Sequence, residues 1–175
     1  FEEKLNGQKA PTFPKKLKEL RVKNGNFDLI KTVPAGNTFT ADFAKAAIIG
    51  EKLGKSEYTD FLTLSFSSTD YIGHKYGVSA IETEDTYLRL DKDLADFFQF
   101  LDKQVGRNNY TLFLTADHAA VHAPSYLQSL KIPAHYLNMT NFKKFVSKTT
   151  KEYFNSIELI ENISNYQIFL NKEKL

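Results

Sequence analysis

The sequence predicts an α/β fold, a partial parallel sheet flanked by helices, and three observations carry that expectation. The run Asp60–Phe66 (DFLTLSF) is apolar at Phe61, Leu62, Leu64 and Phe66, as a buried strand is. From about Glu82 to Val105, Tyr87, Leu88, Leu90, Leu94, Phe97, Phe98, Leu101 and Val105 recur at helical spacing on one broad face. Tyr110–Thr115 (YTLFLT) then reads as a second buried strand. A strand–helix–strand unit suits a parallel sheet, because a right-handed helical crossover returns both carboxyl ends to one edge. Open α/β sheets bind their ligands at that edge.

The elements follow in order. Phe1–Ala10 lacks an initiator Met and a signal pattern and reads as the tail of a helix already under way, so the expectation is a chain that starts inside a longer protein. Residues 1–39 are expected to be irregular connecting structure, rich in Pro and Gly from residue 10 onward. From Thr40, the residues Asp42, Phe43, Ala44, Ala46, Ala47, Ile48, Glu51, Lys52 and Leu53 recur helically, with Thr38 or Thr40 as cap and Gly54 as terminator. The first strand ends in a polar loop, Ser67–Gly77 (SSTDYIGHKYG). Gly106 closes the long helix, and Asn108–Asn109 turn the chain into the second strand. Residues 40–123 thus form the α/β core that carries the candidate ligands, and 124–175 a mixed α/β subregion or insertion. In that last part Ile132–Leu137 is a candidate strand, Asn141–Phe154 a helix and Tyr166–Leu170 a strand.

The 42% hydrophobic and 25% charged content is that of a soluble globular domain. A net charge of +2 is too weak a field to argue for nucleic acid or a membrane surface. The local basic excess, Lys15, Lys16, Lys18, Arg21 and Lys23, reads as a solvated face. With no cysteine, disulfide scaffolds, thiolate metal sites and cysteine nucleophiles are excluded. No run approaches the roughly 18 apolar residues that span a bilayer.

The chemistry-bearing residues cluster at the two strand ends. Asp70 and His74 are four apart, so a helical coil would put both on one face. Asp117 and His118 leave the second strand together in Thr-Ala-Asp-His. A carboxylate oxygen and an imidazole nitrogen are natural ligands of a zinc-type divalent ion. Singly, each residue has a plainer role: Asp117 can cap the next segment, and His118 can bond a carbonyl in a core. The topology is what brings the two pairs to one edge.

The stretch Phe61–Ala119 resembles the metal-ligand half of the alkaline phosphatase superfamily. The likeness is to the branch of nucleotide pyrophosphatase/phosphodiesterases and the Bacteroidetes-type alkaline phosphatases. It rests on Ser-Thr-Asp-x-x-x-His-x-x-Gly (Ser68 to Gly77), on Glu84-Asp85-Thr86-Tyr87 with Asp91, and on Thr-Ala-Asp-His. Gly36-Asn37-Thr38-Phe39-Thr40 and Asn165-Tyr166-Gln167 add to the Bacteroidetes-type likeness. The resemblance implies two Zn²⁺ sites, with Asp70 and His74 holding one ion and Asp117 and His118 the other. It also implies a two-metal clamp on an in-line displacement at a small phosphate ester, with a Thr or Ser nucleophile.

The pattern departs from the family in two places. No strand–Asp–Thr unit that could carry the nucleophile precedes residue 60, and no late His completes the first metal site. The fold expected is therefore alkaline phosphatase-like but without its N-terminal nucleophile strand, with both zinc sites incomplete and the isolated chain inactive. His122 reads as a surface-loop residue and His135 as structural, while Ser67, Ser68 and Thr69 shape the loop and Tyr71 and Tyr76 pack. The parent is expected to be a periplasmic or secreted phosphomonoesterase, with no nucleic-acid or membrane partner. A phosphodiesterase or nucleotide pyrophosphatase, and a non-catalytic metal-binding or interaction domain, are the alternatives. A sheet without its central strand leaves apolar edge exposed, so either self-association or an open apolar patch is expected.

Overall fold

In the computed structural model the described residues are 4–155 and 159–174, and they form two compact units, 1–131 and 132–175. Within the first unit, helices that satisfy their own backbone groups supply most of the order. Residues 1–3 of the expected helix tail lie outside the described residues, and 4–10 form a turn rather than a helix, with Gln8 N–H donating to the Leu5 carbonyl (3.0 Å). A one-turn helix α1 (Leu17–Leu20) and two 3₁₀ stretches, Arg21–Asn24 and Asn26–Thr32, fill the segment expected to be irregular. Short turns of this kind are the ordinary product of a sequence too broken for a long helix.

Helix α2 (Ala35–Gly50) begins about a turn earlier than the periodicity suggested. Pro34 occupies its N-cap position, so Thr38 and Thr40 lie inside the helix rather than capping it. Thr40 Oγ1 bonds back to the Gly36 carbonyl (3.0 Å), and Thr38 Oγ1 reaches Asp93 (2.8 Å). Gly54 takes a left-handed φ of +71°, but after the helix has ended, and its N–H is received by the Asp60 carboxylate at 2.7 Å.

The segment expected to be a polar loop is helix α3 (Ser67–Tyr76). It buries Ser68, Ile72 and Tyr76, one residue in four. At 3.6 residues per turn, Asp70 and His74 then fall on the opposite, open side. Helix α4 (Ile81–Leu101) continues into a π turn, Asp102–Gly106, which Gly106 ends at φ +107°. Its buried set differs from the expected apolar face: Glu82, Thr83, Thr86 and Phe97 are buried, whereas Tyr87 and Leu88 are exposed. Two apolar clusters hold the helices together. Leu5, Leu20, Leu29, Ile72, Tyr76 and Ala80 form one, and Ala44, Ile48 and Phe97 the other, with Leu64 packed against it.

A buried ion pair corrects the expectation of a uniformly solvated basic face. Lys15 Nζ meets Glu82 Oε1 at 2.6 Å, with the side chains 5% and 6% exposed, and the ammonium sits 4.7 Å from the Tyr76 ring centroid. The other four basic residues lie outside that pair, and Lys16, Lys18, Arg21 and Lys23 are not buried.

The two segments expected to be buried strands, 60–66 and 110–115, join no ladder among the described residues. Phe61 is 85% exposed, Phe113 82% and Leu114 81%. The reason is physical. A helix bonds within itself, but a strand needs a neighbour, and neither segment pairs with another strand among the described residues. The parallel part of the α/β fold is present as two unpaired segments, with the open apolar edge expected of a sheet lacking its central strand.

Helix α5 (Pro124–Ser129) belongs to the first unit. The second unit contains α6 (Met139–Phe154), capped by Asn138 Oδ1, which accepts from Asn141 N–H at 3.0 Å. Its sheet is a hairpin of β1 (Ile160–Ser164) and β2 (Gln167–Leu170), antiparallel, with a register irregularity between Ile160 and Asn162. Asn165 and Tyr166 both take positive φ (47° and 59°), as a two-residue hairpin turn that follows strand twist requires. Residues 132–137 form no strand, and β1 was not foreseen. The expected 166–170 strand is present one residue shorter.

Candidate metal centre

Three of the four residues singled out from sequence come together, with the fourth, Asp117, beside them. Helix α3 sets Asp70 and His74 one turn apart, with His74 Nε2 3.2 Å from Asp70 Oδ1. The second contributor arrives from the end of the 110–115 segment, where His118 Nε2 lies 3.4 Å from the same Asp70 Oδ1. The two imidazole rings meet edge to face, 6.0 Å between centroids. Asp70, His74 and His118 each offer a ligand atom within 4.8 Å of the others, a group able to hold a metal ion. Sequence spacing paired Asp70 with His74 and Asp117 with His118; the structure also joins the two pairs through Asp70.

Asp117 stands at the rim. Its side chain is 86% exposed, with Oδ2 3.7 Å from His118 Nε2, while Oδ1 accepts the His118 backbone N–H at 3.0 Å. It therefore sits beside His118 without entering the three-residue group.

The orientation of His118 suits a ligand. Its Nδ1 lies 3.0 Å from the Ala119 carbonyl, and a carbonyl only accepts, so Nδ1 carries the hydrogen. The neutral ring then keeps its lone pair on Nε2, the atom facing Asp70 and His74. Metal-bound histidines are commonly fixed in this way by a carbonyl behind the ring. The same bond, followed by the charges of Asp117 and Asp70, raises the His118 pKa above its ordinary value. One carboxylate oxygen and two imidazole nitrogens are a donor set that fits a zinc-type ion, short of the four ligands of a closed site.

The remaining candidates lie elsewhere. His122 Nδ1 is 3.1 Å from Ser79 Oγ, and its ring lies tilted against Tyr126, 4.9 Å between centroids, so it ties the chain after α3 to α5. His135 is exposed rather than structural in a core. Ser67, Ser68 and Thr69 form the first turn of α3, and Tyr76 packs in the core while Tyr71 is exposed. Sequence reading missed the contact behind the site, Asn37 Nδ2 to Thr69 Oγ1 at 2.9 Å. Nothing local marked it, because Asn37 stands among other polar residues of the same helix, Thr38, Thr40, Asp42 and Lys45.

Comparison with known proteins identifies the family. The type I phosphodiesterase / nucleotide pyrophosphatase family matches residues 3–163. The chain is 47% identical over 175 residues to a Myroides odoratus protein named calcium-transporting ATPase, covering 99% of this chain and 32% of that one. It is 44% identical over 173 residues to the alkaline phosphatase PafA of Elizabethkingia meningoseptica, covering 98% and 31%. With the alkaline phosphatase PhoV of Synechococcus elongatus it shares 53% over 133 residues, 76% of this chain and 24% of the relative. The crystal structure of wild-type PafA superposes with a TM-score of 0.87 at 44% identity, over 98% of this chain and 32% of that one. The chain thus spans about a third or less of the length of these relatives. The α/β core with its missing strand is the PafA fold over that span, and the chain belongs to the type I phosphodiesterase / nucleotide pyrophosphatase family of the alkaline phosphatase superfamily.

Proposed function

We propose that this chain is the metal-ligand portion of a zinc-dependent phosphate-ester hydrolase, a phosphomonoesterase of the alkaline phosphatase type. The observation that carries the reading is the meeting of Asp70, His74 and His118 from two separate segments. Asp70 and His74 serve one ion, and Asp117 and His118 a second. Bound divalent ions supply the positive charge that stabilises the entering and departing oxygens of an in-line displacement at phosphorus. Asp70 contributes the negative charge that balances such a site and lies within reach of both histidines. Ala119 holds the His118 tautomer, and Asp117 steadies the ring from its open side.

The nucleophile and the missing ligands lie in the rest of the parent protein, so the isolated chain turns over no phosphate ester. The parent is periplasmic or secreted, and its substrate is a small phosphate ester rather than nucleic acid. Among the described residues no helix is long and apolar enough to cross a membrane.

Metal analysis and two chromogenic esters test this. The chain should retain zinc and lose it in Asp70→Ala, and the full-length parent should hydrolyse p-nitrophenyl phosphate until Asp117 is replaced by alanine. Zinc retention unchanged by Asp70→Ala, or turnover by this chain alone, contradicts the reading. The family match favours one second reading, a phosphodiesterase. Faster turnover of bis-p-nitrophenyl phosphate than of the monoester by the parent would select it.

A further inference from the structure

Ligand helix α3 touches α2 at a point that packing alone does not explain. Asn37, 1% exposed, sends its Nδ2–H to Thr69 Oγ1 at 2.9 Å across 32 residues of sequence, and Thr69 directly precedes Asp70. The other amide atom, Asn37 Oδ1, is buried with no hydrogen-bond partner among the described residues. A buried acceptor left unpaired costs free energy that an apolar residue of similar shape would not incur. Beside it the two helices are in near contact. A Cβ on Gly36 would lie 2.0 Å from Ser68 Oγ and 2.6 Å from the Ile30 carbonyl oxygen. Ser68 Oγ in turn donates to that carbonyl at 3.5 Å. The first turn of α3 is thus fixed on one side by a bare backbone and on the other by a directional bond.

We propose that Asn37 is a positioning residue for the Asp70/His74 pair, setting the rotation of α3 about its own axis through Thr69. This rests on the metal reading above. Side-chain tips stand about 5 Å from a helix axis, so a 20° turn of α3 moves a ligand atom by roughly 2 Å. Metal–ligand distances tolerate about 0.2 Å. The apolar contacts of Ile72 and Tyr76 are non-directional and permit such a turn, whereas one hydrogen bond to Thr69 opposes it. The role needs an amide facing a hydroxyl, which is why a polar residue occupies a buried helix position.

The test uses this chain, titrated with Zn²⁺ against a competing chelator, with Co²⁺ absorption as a report on ligand geometry and apo thermal unfolding in parallel. Asn37→Ala and Thr69→Val should each weaken zinc binding by about tenfold, the scale seen when a group supporting a metal ligand is lost. Both should alter the Co²⁺ spectrum. The double variant should be no weaker than either single one, because both remove the same bond. Thr69→Ser keeps the hydroxyl and should bind within about threefold of the unaltered chain. Should Asn37→Ala fold poorly, the nearly isosteric Thr69→Val carries the test alone. A lowered melting temperature with unchanged zinc affinity and an unchanged Co²⁺ spectrum would reduce Asn37 to a packing residue and overturn the proposal. Multiplying losses in the double variant would also overturn it. Asp70→Ala is the control: if it binds zinc as tightly as the unaltered chain, the metal reading itself has failed, and the positioning role with it.

Discussion

Helix α3 and the 110–118 segment both deliver candidate ligands to the same place, yet they are held in opposite ways. Helix α3 bonds within itself, buries Ser68, Ile72 and Tyr76, and is pinned to α2 at Thr69. The 110–118 segment makes no ladder bond among the described residues and exposes Leu112, Phe113 and Leu114. The difference teaches which half of a shared site survives on its own. A helical ligand pair carries its support with it, whereas a strand-end pair borrows support from neighbours that this chain does not include.

The largest expected effect attacks the supported side. Glu82→Ala leaves the Lys15 ammonium buried without its partner, and breaking such a pair costs about 3–5 kcal/mol. Denaturant unfolding should show the midpoint falling by that equivalent, and a loss below 1 kcal/mol would mean that the pair anchors nothing. Next comes Asp70→Ala, which removes the one oxygen close to both histidines. Zinc affinity should fall by about a hundredfold, or ~2.7 kcal/mol. Asp117→Ala, acting at the rim, should cost this chain less, and the reverse order would make the unsupported segment the stronger binder.

A third expectation concerns protons. His118 holds its proton more firmly than an ordinary imidazole, through the Ala119 carbonyl first and then Asp117 and Asp70. Its folded pKa lies above the unfolded one, so protonation favours the folded, metal-free chain below the ordinary imidazole range. That contribution is lost as pH rises through the raised folded value. Zinc needs Nε2 unprotonated, so its affinity should climb over the same window. In a ring-proton NMR titration, Asp117→Asn should move the His118 midpoint downward; an unmoved midpoint would remove Asp117 from its orienting role. The smallest effect is expected of Phe113→Ser on the exposed segment. Stability should change by no more than about 0.5 kcal/mol, while sedimentation should show less self-association than in the unaltered chain.

How much was legible beforehand follows the same division. The periodicity from Glu82 onward marked α4 because a helix writes its contacts into neighbouring turns, and the four-residue step from Asp70 to His74 marked a shared face. Ser67–Tyr76 was nevertheless read as a loop, since its polar letters hide a helix whose apolar side is only Ile72 and Tyr76. The letters suggest Thr38 or Thr40 as the cap, but Pro34 starts the helix earlier and frees Thr38 to bond Asp93. The apolar runs at 60–66 and 110–115 form neither a paired nor a buried strand among the described residues, because pairing and burial depend on what else is present.

By itself the sequence determined the family, the candidate ligand types and their spacing within each segment, all of which are local in the letters. Only tertiary structure decided that His118 lies against Asp70, that Lys15 is buried on Glu82 and that Asn37 grips Thr69. Those contacts join residues 32 to 67 positions apart, and no local pattern encodes a distance that the packing of helices sets.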